Sequence, residues 1–204
     1  MKPLPRLYAI ADTSFADPIS LAENLFRGGV RLLQLRNKKG SAREVLTQLE
    51  AILSFAPPDA EIIVNDRVDV ALIAEDVGVH LGQSDLSPTE ARRILGADRT
   101  IGFSTHNLEQ ALQGDKLPVD YIAVGPIFRT SSKENPDPVV GLDLLAAICR
   151  TVRKPVVAIG GIQLVSAGQV FEAGASSIAV IRDLLASDDI SSRARQWCES
   201  VGTS

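Results

Sequence analysis

The residues best suited to chemistry fall in short polar clusters, each directly after an apolar run. They are Gln34-Leu-Arg-Asn-Lys38, Asn65-Asp-Arg67, His80-Leu-Gly-Gln-Ser-Asp85, Ser104-Thr-His106, Gly125-Pro-Ile-Phe-Arg-Thr130 running on to Lys133, and Gly160-Gly161. Asp66 and Asp85 offer hard oxygen donors, and two carboxylates with water positions left open suit Mg²⁺ bridging the phosphates of a substrate. Each acid also has a plainer use: Asp66 in pairing with Arg67 or capping a helix from Val68, Asp85 in capping a helix near Ser87. Arg36, Lys38 and Lys133 tip the balance, because cations and a metal together share the charge of a departing diphosphate. Gly160-Gly161-Ile162, ahead of a helix at Leu164, either lets backbone N–H groups approach an anion or is a tight turn that needs glycine for its backbone angles. His80 lies within a strand and reads as a hydrogen-bonded structural histidine. His106, just past a strand, suits general acid/base work or positioning.

These clusters meet only if the apolar runs are parallel strands ending on one side. Eight runs qualify as strands: residues 7–11, 31–36, 61–65, 78–81, 100–104, 121–124, 156–160 and 177–181. Helix-period segments follow them at 19–27, 41–55, 68–75, 88–95, 108–113, 142–152, 164–172 and 190–201. Such alternation is the pattern of βα units around a parallel sheet. Eight units at about 25 residues each predict a compact (β/α)₈ TIM barrel, a single domain over 1–204, rather than a doubly wound sheet. Ser41 and Ser87, with Glu44 and Glu90 three residues on, are capping-box signals, and Pro88 fits a first helical turn. In such a barrel the active site lies at the C-terminal ends of the strands, the rim on which the polar clusters fall. The long polar connection at 129–138 is a candidate lid.

Composition narrows the class. The chain has 204 residues, 45% of them hydrophobic and 23% charged, which excludes a disordered chain. Its net charge of −4 leaves no broad basic face for nucleic acid or anionic lipid. No apolar run approaches the roughly 18 residues of a membrane span, and Cys149 and Cys198 are too few for a disulfide framework. A cytoplasmic enzyme of small phosphorylated molecules is expected, with no nucleic-acid or membrane partner and with its oligomeric state open.

Seven motifs in order resemble one family across nearly the whole chain. Beyond the clusters above they include Leu7-Tyr-Ala-Ile-Ala-Asp12, Val64-Asn-Asp-Arg-Val-Asp-Val-Ala71, Gly78-Val-His-Leu-Gly-Gln-Ser-Asp85, Gly102-Phe-Ser-Thr-His106 and Ala158-Ile-Gly-Gly-Ile162. The family is thiamine phosphate synthase. The resemblance implies a transferase that joins 4-amino-2-methyl-5-hydroxymethylpyrimidine diphosphate to hydroxyethylthiazole phosphate, or its carboxylate, with Mg²⁺ as cofactor and a dissociative mechanism. It also implies roles. Asp66 and Asp85 match the metal ligands; Gln34, Arg36, Lys38, Asn65, Ser104 and Lys133 match contacts to the pyrimidine diphosphate, with Arg36, Lys38, Ser104 and Lys133 as the catalytic set. Thr130 and Ser132 match a Thr-x-Thr pair at the thiazole substrate, and Gly161 a phosphate-binding glycine beside Ile181 and Arg182. Three positions depart from the family. Ser132 replaces a threonine but keeps the hydroxyl, Asn37 stands in the diphosphate loop where an acid is common, and Arg182 replaces a serine. The Arg182 guanidinium either pairs the phosphate or turns outward. A related thiazole tautomerase, with His106 as acid/base, needs neither the carboxylate pair nor Lys133; a non-catalytic phosphate-ligand sensor would lack the metal carboxylates.

Overall fold

Leucine- and β-branched-rich runs form eight strands: β1 (Leu7–Asp12), β2 (Leu32–Arg36), β3 (Glu61–Asn65), β4 (Val77–Leu81), β5 (Ile101–Thr105), β6 (Tyr121–Val124), β7 (Val156–Ile159) and β8 (Ser177–Val180). A computed structural model describes residues 3–130 and 138–202, and in it these strands close into one parallel barrel in chain order. Because β8 pairs with β1, no strand edge is left open. The (β/α)₈ barrel expected from the alternation is the fold observed.

The helices are α1 (Pro18–Arg27), α2 (Ala42–Phe55), α3 (Val68–Ile73), α4 (Pro88–Leu95), α5 (Leu108–Gly114), α6 (Gly141–Thr151), α7 (Ala167–Glu172) after a 3₁₀ turn at Leu164–Ser166, α8 (Arg182–Leu185) and α9 (Ile190–Val201). Ser41 and Glu44 form the complete capping box on α2. Ser87 caps α4 through Glu90, with Pro88 in the first turn. Most ends lie within a residue of the sequence pattern, and two departures have a local cause. α3 stops at Ile73, because Ala74 is extended and Asp76 takes φ 55°. The segment after β8, which the sequence pattern assigns to neither strand nor helix, begins with the one-turn helix α8, too short to show a periodic apolar signal.

Strand pleating sorts the core into two layers. One set of side chains packs outward against the helices, with Leu33, Leu35, Val64, Val79 and Ile122 fully buried there. The alternate set fills the barrel: Leu4, Tyr8, Ile10, Leu32, Ile63, Tyr121, Ala123, Val157 and Ala179. Continuing that inward file toward the strand C-termini brings Gln34 and Arg36 on β2, Asn65 on β3, His80 on β4 and Ser104 on β5 to the mouth. Apolar side chains therefore plug the lower barrel and polar ones line the top, which is how a packed core and an open site share eight short strands.

Candidate active site

A cavity of about 700 Å³ opens at the C-terminal ends of the strands. Gln34, Arg36, Lys38 and Asn65 line one side of it, with Asp66, Asp85 and Ser104 adjoining. Thr130, Gly161, Ile181 and Arg182 line the opposite side. The sequence clusters thus converge on one cavity. Asn37 is not on its wall: its side-chain oxygen accepts from the Gly40 N–H at 2.8 Å while its amide donates to Gln48, so it shapes the β2–α2 loop. Ser132, Lys133 and most of the candidate lid lie outside the described residues.

The acid pair has a distinctive local structure. Asp66 takes φ 63°, a left-handed conformation that Asp tolerates better than most residues, while its N–H donates to the His80 carbonyl at 2.8 Å. Neither plainer role is realised. Arg67 pairs with Asp69, Ser87 caps α4, and Asp85 instead accepts the Gly82 N–H at 2.7 Å, folding its turn so that the carboxyl faces Asp66. Burial, and then the neighbouring Asp85 charge, push the Asp66 carboxyl above the usual aspartate range. The Lys38 ammonium, 3.6 Å away, pulls the other way and is outweighed, being half exposed. Two carboxyls held within hydrogen-bonding reach against their mutual repulsion fit a divalent cation, which would relieve it. Among the described residues no third His, Cys, Asp or Glu joins them, a donor set that fits Mg²⁺ with its retained waters.

Arg36 is held in place from below. Arg36 forms an ion pair with Asp12, its register partner on β1, and Asp12 also accepts the Ser14 N–H at 2.9 Å. Asp12 is nearly inaccessible, so its charge anchors one edge of the guanidinium and leaves other donors of the fork toward the cavity. Sequence reasoning did not single out Asp12; a lone acid closing the first apolar strand was the available signal.

The opposite corner is built by glycine and α8. Gly160 and Gly161 have φ 98° and 69°, and a Cβ on Gly161 would lie 2.5 Å from the Arg129 carbonyl. The glycines thus meet a conformational and a packing requirement, while leaving backbone at the cavity wall. Arg182 is exposed at the rim, its guanidinium 5.5 Å over the Phe15 ring. Asp183, which follows it, accepts from Arg193 at 2.8 Å and from the Trp197 indole N–H at 2.7 Å, locking α8 to α9. Neither Asp183 nor Arg193 stood out in the sequence, because their partners lie in a helix ten or more residues away.

The histidines divide. His80 is buried, with Nδ1 at 2.9 Å from the Tyr121 hydroxyl and Nε2 at 2.8 Å from Ser104 Oγ. His106 Nδ1 lies 2.7 Å from the Gly125 carbonyl, to which it donates.

The comparisons with known proteins agree with one another. The family profile described as thiamine monophosphate synthase matches residues 7–184. A thiamine-phosphate synthase of Koribacter versatilis is 51% identical over 189 residues, covering 89% of this chain and 90% of the relative. One from Halalkalibacterium halodurans is 42% identical over 202 residues, covering 97% and 94%. Among solved structures, the thiamine phosphate pyrophosphorylase of Pyrococcus furiosus superimposes with a TM-score of 0.83 at 32% identity, covering 96% of this chain and 95% of the other. With the barrel and its converging rim in hand, these matches show that the chain belongs to the thiamine monophosphate synthase family and is a transferase of thiamine biosynthesis.

Proposed function

We propose that this enzyme joins 4-amino-2-methyl-5-hydroxymethylpyrimidine diphosphate to hydroxyethylthiazole phosphate, or its carboxylate, releasing diphosphate and, from the carboxylate, CO₂ as well. The observation that carries the reading is the pairing of Asp66 and Asp85 beside Lys38 and the anchored Arg36 at one cavity mouth. In the step proposed, the bond between the pyrimidine methylene and the diphosphate oxygen breaks, its electron pair leaving with diphosphate. The resulting methylene cation is captured by the thiazole nitrogen, forming a C–N bond. That chemistry needs no protein nucleophile; it needs charge stabilisation on the leaving group and two positioned substrates. Asp66 and Asp85 would hold Mg²⁺, which when bound supplies positive charge to the diphosphate oxygens. Arg36 and Lys38 contribute fixed cations on the same side. The backbone at Gly160 and Gly161, with Ile181 and Arg182, forms the corner assigned to the thiazole phosphate, the usual phosphate position after strands seven and eight of such barrels. Arg182 is close enough to that rim to turn from Phe15 toward a phosphate.

Among the described residues the carboxylate pair favours this reading over an isomerase or a sensor, neither of which has a use for it. Purified protein supplied with both substrates and Mg²⁺ is expected to form thiamine phosphate and diphosphate in equal amounts. Isomerisation of the thiazole with no condensation would overturn the reading.

A further inference from the structure

A continuous hydrogen-bond chain crosses the barrel beneath the cavity. Gln34 Nε2 is 2.8 Å from the Tyr8 hydroxyl, which is 2.9 Å from the Tyr121 hydroxyl. Tyr121 is 2.9 Å from His80 Nδ1, and His80 Nε2 is 2.8 Å from Ser104 Oγ. Four of its five side chains are buried, and only its ends, Gln34 and Ser104, carry the roles assigned above.

The order of protons along it follows from chemistry. An amide NH₂ donates and cannot accept, so Tyr8 receives from Gln34 and spends its own proton on Tyr121. Tyr121 then donates to His80 Nδ1, a pairing that matches a phenol, the better donor, with an imine nitrogen, the better acceptor. His80 Nδ1 is thereby without a proton, and Nε2–H donates to Ser104. Burial pushes both phenols above the usual tyrosine range, so each keeps the proton this order requires. The rings are locked as well: Tyr8 meets Tyr121 edge-on, His80 stacks on Tyr121 at 21°, and Gly102 makes room, since a Cβ there would lie 2.0 Å from Tyr121 Cζ.

We infer that Tyr8, Tyr121 and His80 are positioning residues that hold His80 as the neutral Nε2–H tautomer, so that the cavity is offered an acceptor, Gln34 Oε1, at one end and a donor, the Ser104 hydroxyl, at the other. An aminopyrimidine carries the complement: an exocyclic N–H and a ring nitrogen. An oxopyrimidine, with a carbonyl and a ring N–H, carries the reverse. The ligand part of this inference rests on the function proposed above; the proton order does not.

The test starts on ligand-free protein. The chain has two histidines, and a ¹⁵N spectrum of histidine-labelled protein at neutral pH is expected to show opposite tautomers: Nε2–H for His80, and Nδ1–H for His106, which must donate to a carbonyl. His80 protonated at Nδ1, or at both nitrogens, overturns the inference, whatever the activity. Conversely, failure to bind any pyrimidine diphosphate with the expected tautomers in place overturns the proposed function and leaves the proton order standing. The second arm compares binding of 4-amino and 4-oxo pyrimidine diphosphates by calorimetry. We expect at least about a hundredfold preference for the amino form, as in sites that leave a buried polar group unpaired with the wrong ligand. Tyr121→Phe should reduce that preference about tenfold and mix the His80 tautomers; Tyr8→Phe serves if that variant does not fold. Unchanged tautomer and preference in the folded variant overturn the positioning role. His80→Gln, which keeps a donor near the Nε2 position, should retain more amino preference than His80→Leu; equal loss would also count against it.

Discussion

Asp66 shows how much of this site is set by one backbone angle. Its φ of 63° turns the side chain away from Arg67 and α3 and toward Asp85. Burial and the Asp85 charge raise its pKa, so in the metal-free protein at neutral pH an ionised Asp66 opposes folding: the folded state holds the proton more tightly, and stability falls as pH rises from the unfolded value through the folded one. Asp66→Asn is therefore expected to raise the Tm of the metal-free protein at pH 7. Mg²⁺ should stabilise the wild type by about 2.7 kcal/mol at a hundredfold excess over Kd, near 5–10 °C in Tm, and Asp66→Asn hardly at all. An equal Mg²⁺ response in both, by calorimetry, would remove Asp66 from the metal site. Asp85 offers a second separation. Asp85→Ala deletes one turn hydrogen bond, costing about 1 kcal/mol of stability, but should lower turnover by roughly 10²–10³ if it loses charge stabilisation of the leaving group. Comparable small losses in both would leave Asp85 a turn residue only.

Single elements hold these residues by means that act across the fold. α8 is one turn long and cannot persist by propensity, since isolated helices of this length are unstable. It is held by Asp183, whose carboxylate joins Arg193 and Trp197 of α9. Asp183→Ala should lower stability by roughly 2 kcal/mol in urea unfolding, less than for a wholly buried pair because the guanidinium is partly solvated. It should also weaken thiazole-phosphate binding while sparing pyrimidine-diphosphate binding, since α8 borders one corner of the cavity alone. α2 depends on its capping box. The Ser41 backbone N–H and hydroxyl hold the Glu44 carboxyl below the usual glutamate range. A depressed folded value means that this contribution is complete above the unfolded pKa and is lost as pH falls through the folded one. The stability difference between wild type and Glu44→Ala should therefore be present at pH 7 and shrink at the acid end of a urea series.

At the scale of the whole molecule, an acidic protein serves phosphorylated substrates because charge is sorted by place. The net charge is −4, while Arg36 and Lys38 stand at one mouth beside the carboxylates that would hold a divalent cation. Long polyanions see the net field and small ones the local site. Duplex DNA should show no shift in a gel at 0.15 M salt, while inorganic diphosphate with Mg²⁺ protects the protein against unfolding; DNA binding under those conditions would contradict the charge argument. Among the described residues no helix is long and apolar enough to cross a membrane.

The barrel is legible in the amino-acid order, because local signals repeat: eight apolar runs alternate with amphipathic segments, and the strands end in residues unlike those of a core. From that alternation the rim followed, and with it Gln34, Arg36, Lys38, Asn65, Asp66, Asp85 and Ser104 on one cavity wall. What those residues touch depends on how distant elements pack. Asp12 meets Arg36 through strand register, Asn37 turns into its own loop, Asp183 reaches α9, and Tyr8 and Tyr121, 113 positions apart, meet inside the barrel. Periodicity reports which face of an element is buried, and says nothing of which distant face it is buried against. Hydrogen-bond partners and proton order depend on that second fact.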